Sequence, residues 1–206
     1  MNDIQQLIHA VTEADSPALL VAAVQKLADA KDAEAISTLI AVFGYNNPEA
    51  AEAAARGLTE LGFVAVPQLL VQIDDYNYGA RAYSIRTLGA IKDPRAEYVL
   101  LAAAATDFAP SVRRAAAKGL GNLRYSILDV PERYTAPTRA METLLSITHD
   151  SDWSIRYAAV VGLQGLANLP DLQQPIQARF EQMLSTDADA SVRARVQLAQ
   201  KLVDSW

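Results

Sequence analysis

Apolar residues recur along this chain at the three-to-four spacing of an amphipathic helix, and they do so in a block of fixed form. The block reads apolar-Arg-x-Ala-Ala-x-x-x-Leu-Gly. Its clearest copies are Val112-Arg113-Arg114-Ala115-Ala116-Ala117-Lys118-Gly119-Leu120-Gly121 and Ile155-Arg156-Tyr157-Ala158-Ala159-Val160-Val161-Gly162-Leu163. Three further copies align on the same leucine: Ala80-Arg81 with Leu88, Ala50-Ala51 with Leu58, and Leu19-Leu20 with Leu27. Successive leucines are 31, 30, 32 and 43 residues apart. A final copy, Val192-Arg193-Ala194-Arg195-Val196, lacks the matching leucine and offers Leu198 and Leu202 instead, as terminal repeats often do. Ahead of each block lies a second helical stretch, at 33–43, 66–73, 95–105, 138–148 and 175–185. Two short helices per unit cannot bury their apolar faces alone, so neighbouring units must stack. The pattern predicts an all-α protein, an α-solenoid of about six helical hairpins forming one domain over residues 1–206.

Prolines at Pro48, Pro67, Pro94, Pro110 and Pro137 mark first helical turns or turn edges, where a missing N–H is harmless. Gly57, Gly89, Gly119, Gly121, Gly162 and Gly165 allow adjacent helices to approach closely. The long step of 43 contains residues 124–137, with two prolines and little helical periodicity. This insertion is expected to be a loop on one edge of the stack, a place for function or a tolerated surface addition.

Composition sharpens the helical reading, because 38 of the 206 residues are alanine and only 9 each are Gly and Pro. A chain that is 51% hydrophobic and 20% charged buries a continuous core and is not disordered. The net charge of −6 and pI near 4.9 oppose a sequence-independent grip on nucleic acid, which needs clustered Lys and Arg. With no cysteine, the chain cannot supply a disulfide, a thiolate ligand or a thiol nucleophile. The start Met1-Asn2-Asp3-Ile4-Gln5-Gln6 lacks a signal-peptide pattern, and the longest apolar run, 98–105, is far short of a membrane span. A cytoplasmic protein without membrane insertion is expected.

No phosphate-binding loop, dinucleotide fingerprint, nucleophile elbow or zinc-protease motif is present. The two histidines, His9 and His149, fall in different repeats, so a histidine-based metal site is not expected. The turns that enter the second helix of each unit carry more information: Gly44-Tyr45-Asn46-Asn47-Pro48, Asp74-Asp75-Tyr76-Asn77-Tyr78, Asp107-Phe108-Ala109-Pro110, Asp150-Ser151-Asp152-Trp153 and Asp187-Ala188-Asp189-Ala190. Asp and Asn there are expected N-caps. Aromatics beside the cap in four consecutive turns exceed that need, although a hydrophobic staple accounts for one per helix entry. Arg81, Arg113, Arg156 and Arg193 share one register. Arg113 and Arg193 suit ion pairs with the aspartates of neighbouring turns, whereas Arg81 and Arg156, beside Tyr78 and Trp153, suit a ligand. An acidic, aromatic ridge with spaced arginines fits a flat conjugated ligand carrying N–H groups and carboxylate tails, or else a protein partner.

The run Asp75-Tyr76-Asn77-Tyr78-Gly79-Ala80-Arg81-Ala82, continuing to Leu88-Gly89-Ala90-Ile91, resembles the signature of the HEAT-like-repeat phycobilin lyases of the E/F type, and the repeat block resembles that family's repeat over nearly the whole chain. The family's shorter F-type chains, the β subunits of heterodimeric phycocyanin α-chain lyases, are similar to this one in length and repeat content. The resemblance implies HEAT-like hairpins and a thioether-forming activity that joins phycocyanobilin to a cysteine of the phycocyanin α chain, exercised together with a longer E-type subunit. It implies no permanently bound cofactor, with phycocyanobilin a transient substrate. The carboxylates expected to act on the pyrrole nitrogens are Asp75 and Asp152, and the bilin-binding residues are expected to be Tyr76, Asn77, Tyr78, Arg81, Trp153 and Arg156. Relatives that also isomerise the bilin carry a His-Cys pair that is missing here, so attachment without isomerisation is implied. Other relatives point to an alternative, a non-catalytic phycobiliprotein-binding adaptor or chaperone in phycobilisome assembly or disassembly.

Overall fold

The computed structural model describes residues 3–73 and 76–203. Every regular element among them is helical. Two compact units are distinguished, Met1–Ile91 and Lys92–Trp206. The first holds α1 (Asp3–Thr12), α2 (Pro17–Asp29), α3 (Ile36–Val42), α4 (Pro48–Leu61), α5 (Val66–Val71) and α6 (Tyr78–Ile91). The second holds α7 (Glu97–Thr106), α8 (Pro110–Leu120), α9 (Glu132–Ile147), α10 (Trp153–Leu166), α11 (Pro170–Thr186) and α12 (Ala190–Val203). Each unit is thus three hairpins, and the second helices of successive hairpins pack side by side, α2 on α4 on α6 and α8 on α10 on α12.

The repeating leucine is the reason the hairpins stack. Leu27, Leu58, Leu88, Leu120 and Leu163 are all fully buried, one per inter-helix seam. The last repeat departs from the expectation that Leu198 and Leu202 replace the missing leucine. Both are exposed, and Val192, Val196 and Ala199 fill the seam instead, because they lie on the helical face that meets α10.

Helix starts follow the local chemistry. Ser16, Asn47 and Asn77 accept the amides of Leu19, Ala50 and Ala80, and proline opens α2, α4, α8 and α11. Both units use the same Lys-Asp turn before a short 3-10 helix. Lys31 and Lys92 have φ of 50° and 64°, and Asp32 and Asp93 cap the amides two residues on. Pro137, expected at a helix edge, instead lies inside α9, at its sixth residue. It lacks the N–H that would bond the Arg133 carbonyl, and the turn ahead of it is held by the amide of Arg133 donating to the Asp129 carbonyl and those of Tyr134 and Thr135 to the Pro131 carbonyl.

The insertion at 124–137 is correspondingly less of a loop than its prolines imply. It contains a 3-10 turn, Tyr125–Ile127, and the first turns of α9. Tyr125 is buried and donates its hydroxyl to the Leu120 carbonyl at 2.9 Å. Arg139 on α9 bridges the buried Glu97 of α7 at 2.8 Å and Glu132 at 2.7 Å. Burial, with Glu97 nearby, drives the Tyr125 pKa well above its ordinary value, so this hydroxyl stays protonated and remains a donor.

Between α8 and α10 the backbones approach closely. A Cβ on Gly162 would stand 2.3 Å from the Ala117 carbonyl oxygen, and one on Gly121 would stand 2.2 Å from the Gly162 carbonyl oxygen. Only glycine permits this seam, which fixes where the C-terminal half of α10 sits against α8.

Candidate functional site

The arginine register resolves into a ladder in the second unit. Asp150 and Asp187 occupy equivalent turns, and each accepts the amide two residues on, from Asp152 and Asp189. Each also pairs with the arginine of the preceding repeat: Arg113 reaches Asp150 at 2.6 Å, and Arg156 grips Asp187 with two parallel bonds of 2.8 Å. The arginine of the same repeat then donates to that aspartate's carbonyl, Arg156 to Asp150 at 2.9 Å and Arg193 to Asp187 at 2.6 Å. Arg113 therefore does what its register suggests, whereas Arg193, expected to pair with an aspartate of a neighbouring turn, is held by the backbone carbonyl of the turn in its own repeat. Arg156, expected to hold ligand, is instead the most fully engaged rung, and its position is corrected accordingly: its guanidinium ties two repeats together. Arg156 holds the Asp187 carboxyl below the usual carboxylate range, and Asp187 in turn raises the Arg156 pKa.

In the first unit, Tyr76 and Tyr78 are exposed, Tyr76 by 98%, so neither is a buried staple. Asn77 caps α6 through its side chain. Arg81 is buried at 6% exposure and is not a surface group of a ridge, a second correction; it lies one turn into α6, where the helix packs. Asp75 lies outside the described residues.

Asp152 and Trp153 come together elsewhere, in an open groove of about 670 Å³ across α8, α10 and α12. Its walls are Arg114, Lys118, Asp152, Trp153, Tyr157 and Ser191. Asp152 is the N-cap of α10, and its Oδ1 accepts the Ser154 amide at 2.8 Å and hydroxyl at 2.7 Å. That hydroxyl also accepts from Arg114 at 3.0 Å. Ser154, first through its hydroxyl and then its amide, lowers the Asp152 pKa, with Arg114 adding to the effect, so this carboxylate stays charged. Trp153 is about half exposed and lines the groove. Arg114, Lys118, Tyr157 and Ser191 are absent from the site expected from sequence. The available signal was spacing: Arg114 and Lys118 are four residues apart on α8, hence on one face, with Tyr157 four residues after Trp153 on α10.

A smaller cavity of about 410 Å³ lies at the ladder, lined in part by His149, Asp150, Arg156, Arg179 and Asp187. Arg179 donates to the Thr148 hydroxyl at 2.7 Å and approaches His149 Nδ1 at 3.3 Å. A guanidinium only donates, so His149 Nδ1 is the acceptor in this arrangement. Among the described residues no cluster of three His, Asp or Glu side chains could hold a metal ion, and no helix is long and apolar enough to cross a membrane.

Stacked hairpins with leucine seams and an Asp–Arg ladder define a HEAT-repeat protein, and the family model for HEAT repeats matches residues 66–133. The chain is 68% identical over 195 residues to the phycocyanobilin lyase subunit beta of Nostoc sp., covering 95% of this chain and 98% of that one. It is 46% identical to the phycocyanobilin lyase subunit beta of Thermosynechococcus vestitus, over 97% and 95% of the two chains. Among solved structures it matches the complex of CpcE and CpcF of phycocyanin lyase from Nostoc sp. with a TM-score of 0.81 at 70% identity, over 82% of this chain and 99% of that one. The chain belongs to the phycocyanobilin lyase β-subunit family.

Proposed function

We propose that this chain is the F-type subunit of a heterodimeric lyase that joins phycocyanobilin to a cysteine of the phycocyanin α chain, with a longer E-type chain as its partner. The observation that carries the reading is end-to-end similarity to β subunits of phycocyanobilin lyase, together with the fold match to a complex of CpcE and CpcF. The reaction adds a cysteine S–H across the ethylidene double bond of bilin ring A. Sulfur bonds to the exocyclic carbon, the proton ends on the ring carbon, and nothing leaves. A chain without cysteine is suited to this, because it offers no competing thiol.

The groove of the second unit provides the groups that such a substrate calls for. Trp153 and Tyr157 give ring faces to a conjugated system, and Arg114 and Lys118 give cations to its propionates. Asp152, kept anionic by its cap bonds, favours protonated pyrrole nitrogens. The groove volume falls within the range of about 300–1,000 Å³ common for ligand sites, and its openness suits a substrate that arrives and departs rather than a permanently bound cofactor. Tyr76 and Tyr78, exposed beside the Asn77 cap, serve as a contact for bilin or for a protein partner.

The test is co-expression of the phycocyanin α chain, phycocyanobilin-forming enzymes and the longer partner, with and without this chain, read as covalent bilin fluorescence on a denaturing gel. Covalent colour only when both repeat chains are present supports the lyase reading. Colour that is indifferent to this chain, while the chain still co-purifies with phycobiliprotein, replaces it with the adaptor.

A further inference from the structure

Arg114, Ser154 and Asp152 all line the α8–α10–α12 groove, and two hydrogen bonds join them in that order. Arg114 Nη1, on α8, donates to the Ser154 hydroxyl at 3.0 Å, and that hydroxyl donates to Asp152 Oδ1 at 2.7 Å. The Ser154 amide donates to the same oxygen at 2.8 Å. Asp152 Oδ2 accepts no hydrogen bond from the described residues and is not closed to solvent, so it is the oxygen that the carboxylate offers to the groove. A guanidinium and a carboxylate this close ordinarily meet directly, in the paired fork that both favour. Here the Ser154 hydroxyl stands between them. An aspartate cap does not require such a relay. In the next repeat Asp189 Oδ1 accepts the amides of Ser191 and Val192, and Tyr157 holds the place in its block that Arg114 holds one repeat earlier.

We infer that Ser154 is a positioning residue whose hydroxyl holds Arg114 and Asp152 apart, so that the groove presents a cation and an anion as separate charges. The inference rests on the groove being the bilin site, as proposed above. A linear tetrapyrrole carries a partner for each, propionate carboxylates for the cation and protonated pyrrole nitrogens for the anion. Without the hydroxyl, Arg114 Nη1 lies no farther from Asp152 Oδ1 than the two bonds combined, and a change of side-chain rotamer closes a direct pair. That pair cancels both charges, and the bilin loses both partners at once. Also around Asp152 are Lys118 on α8 and Tyr157 on α10, both in the groove, and Asp150 in the turn from α9, which Arg113 neutralises; α12 brings the uncharged Ser191.

The experiment uses the protein co-purified with its longer partner and follows bound phycocyanobilin by absorbance through a pH titration. Protonation of the pyrrole system moves the long-wavelength band to the red, so the spectrum reports the midpoint at which the bound bilin loses its proton. In the wild type the nearby carboxylate should hold that midpoint at least about one unit above that of free bilin. Ser154→Ala should lower it by about one unit and weaken binding about tenfold. Its melting temperature should stay within about 3 °C of the wild type, because the amide cap remains and a direct pair replaces the relayed one. Ser154→Thr, which keeps a hydroxyl at the same place, should restore both midpoint and affinity. An unchanged midpoint and affinity in Ser154→Ala, whether or not melting falls, assigns the hydroxyl to the helix cap and overturns the inference, as does failure of Ser154→Thr to restore them. If Asp152→Asn lowers the midpoint while Ser154→Ala does not, the groove stands as the bilin site and only the role of Ser154 is lost. A wild-type midpoint equal to that of free bilin and unmoved by Asp152→Asn, or no binding by the wild-type heterodimer, removes the groove as the bilin site and this inference with it.

Discussion

Replacing Arg156 by glutamine separates a rung of the ladder from a ligand-binding group. The Arg156 side chain is 14% exposed and that of Asp187 only 5%, so the pair is largely shielded from water. The substitution removes two charge-assisted bonds of 2.8 Å to Asp187 and a third of 2.9 Å to the Asp150 carbonyl, and it leaves the Asp187 carboxylate buried without its hydrogen-bonded cation. Breaking one side of a buried pair costs about 3–5 kcal/mol. For a unit of this size that lowers the melting temperature on the order of 10–20 °C. Circular dichroism at 222 nm during heating and urea titration reads the loss directly. Acidification adds a signature with a definite sign. Asp187 has a folded pKa below its unfolded value of about 3.9, so its pairing stabilises the native state above that value and the contribution fades as pH falls through the folded pKa. In Arg156→Gln the largest part of that contribution is already gone, so the gap between wild type and variant should narrow as the solution is taken toward pH 2–3. Wild-type melting with lost bilin transfer would refute the ladder assignment and return Arg156 to the ligand.

Three further outcomes follow from the same structure. Gly162→Ala should destabilise by about 1–2 kcal/mol, because the new Cβ meets the Ala117 carbonyl oxygen at 2.3 Å and the overpacking outweighs the gain in helix propensity of about 1 kcal/mol; Gly44→Ala, whose Cβ would meet nothing closer than 3.5 Å, should change urea stability by less than about 0.5 kcal/mol. Tyr125→Ala should cost about 3–5 kcal/mol in urea unfolding, since it empties a buried site and abandons the Leu120 carbonyl, whereas a tolerated loop would lose almost nothing. Trp153→Ala should leave melting within about 1 kcal/mol of the wild type, because the ring is half exposed, yet reduce bilin transfer at least tenfold in the co-expression assay; unchanged transfer would remove the groove from the reaction.

The amino-acid sequence determined the elements and their repetition. Leucines at 27, 58, 88, 120 and 163 name the buried seam, because a helix shows its face at fixed spacing whatever it packs against. The caps at Asn47, Asn77 and Asp152 are legible for the same reason, since their bonds close within three residues. Arg113 could be read as a rung from its register alone. What the register leaves open is which arginine meets a carboxylate from the next repeat and which does not. Arg156 and Arg193 hold the same place in an Ile-led and a Val-led block, but one grips the Asp187 carboxylate and the other reaches only the Asp187 backbone carbonyl. The Arg156 pairing joins residues 31 apart in the chain, so it depends on how successive repeats are set against each other. The groove is of the same kind: Arg114, Trp153 and Ser191 belong to three repeats, and only the stacking of α8, α10 and α12, drawn close at glycine, places their side chains around one space.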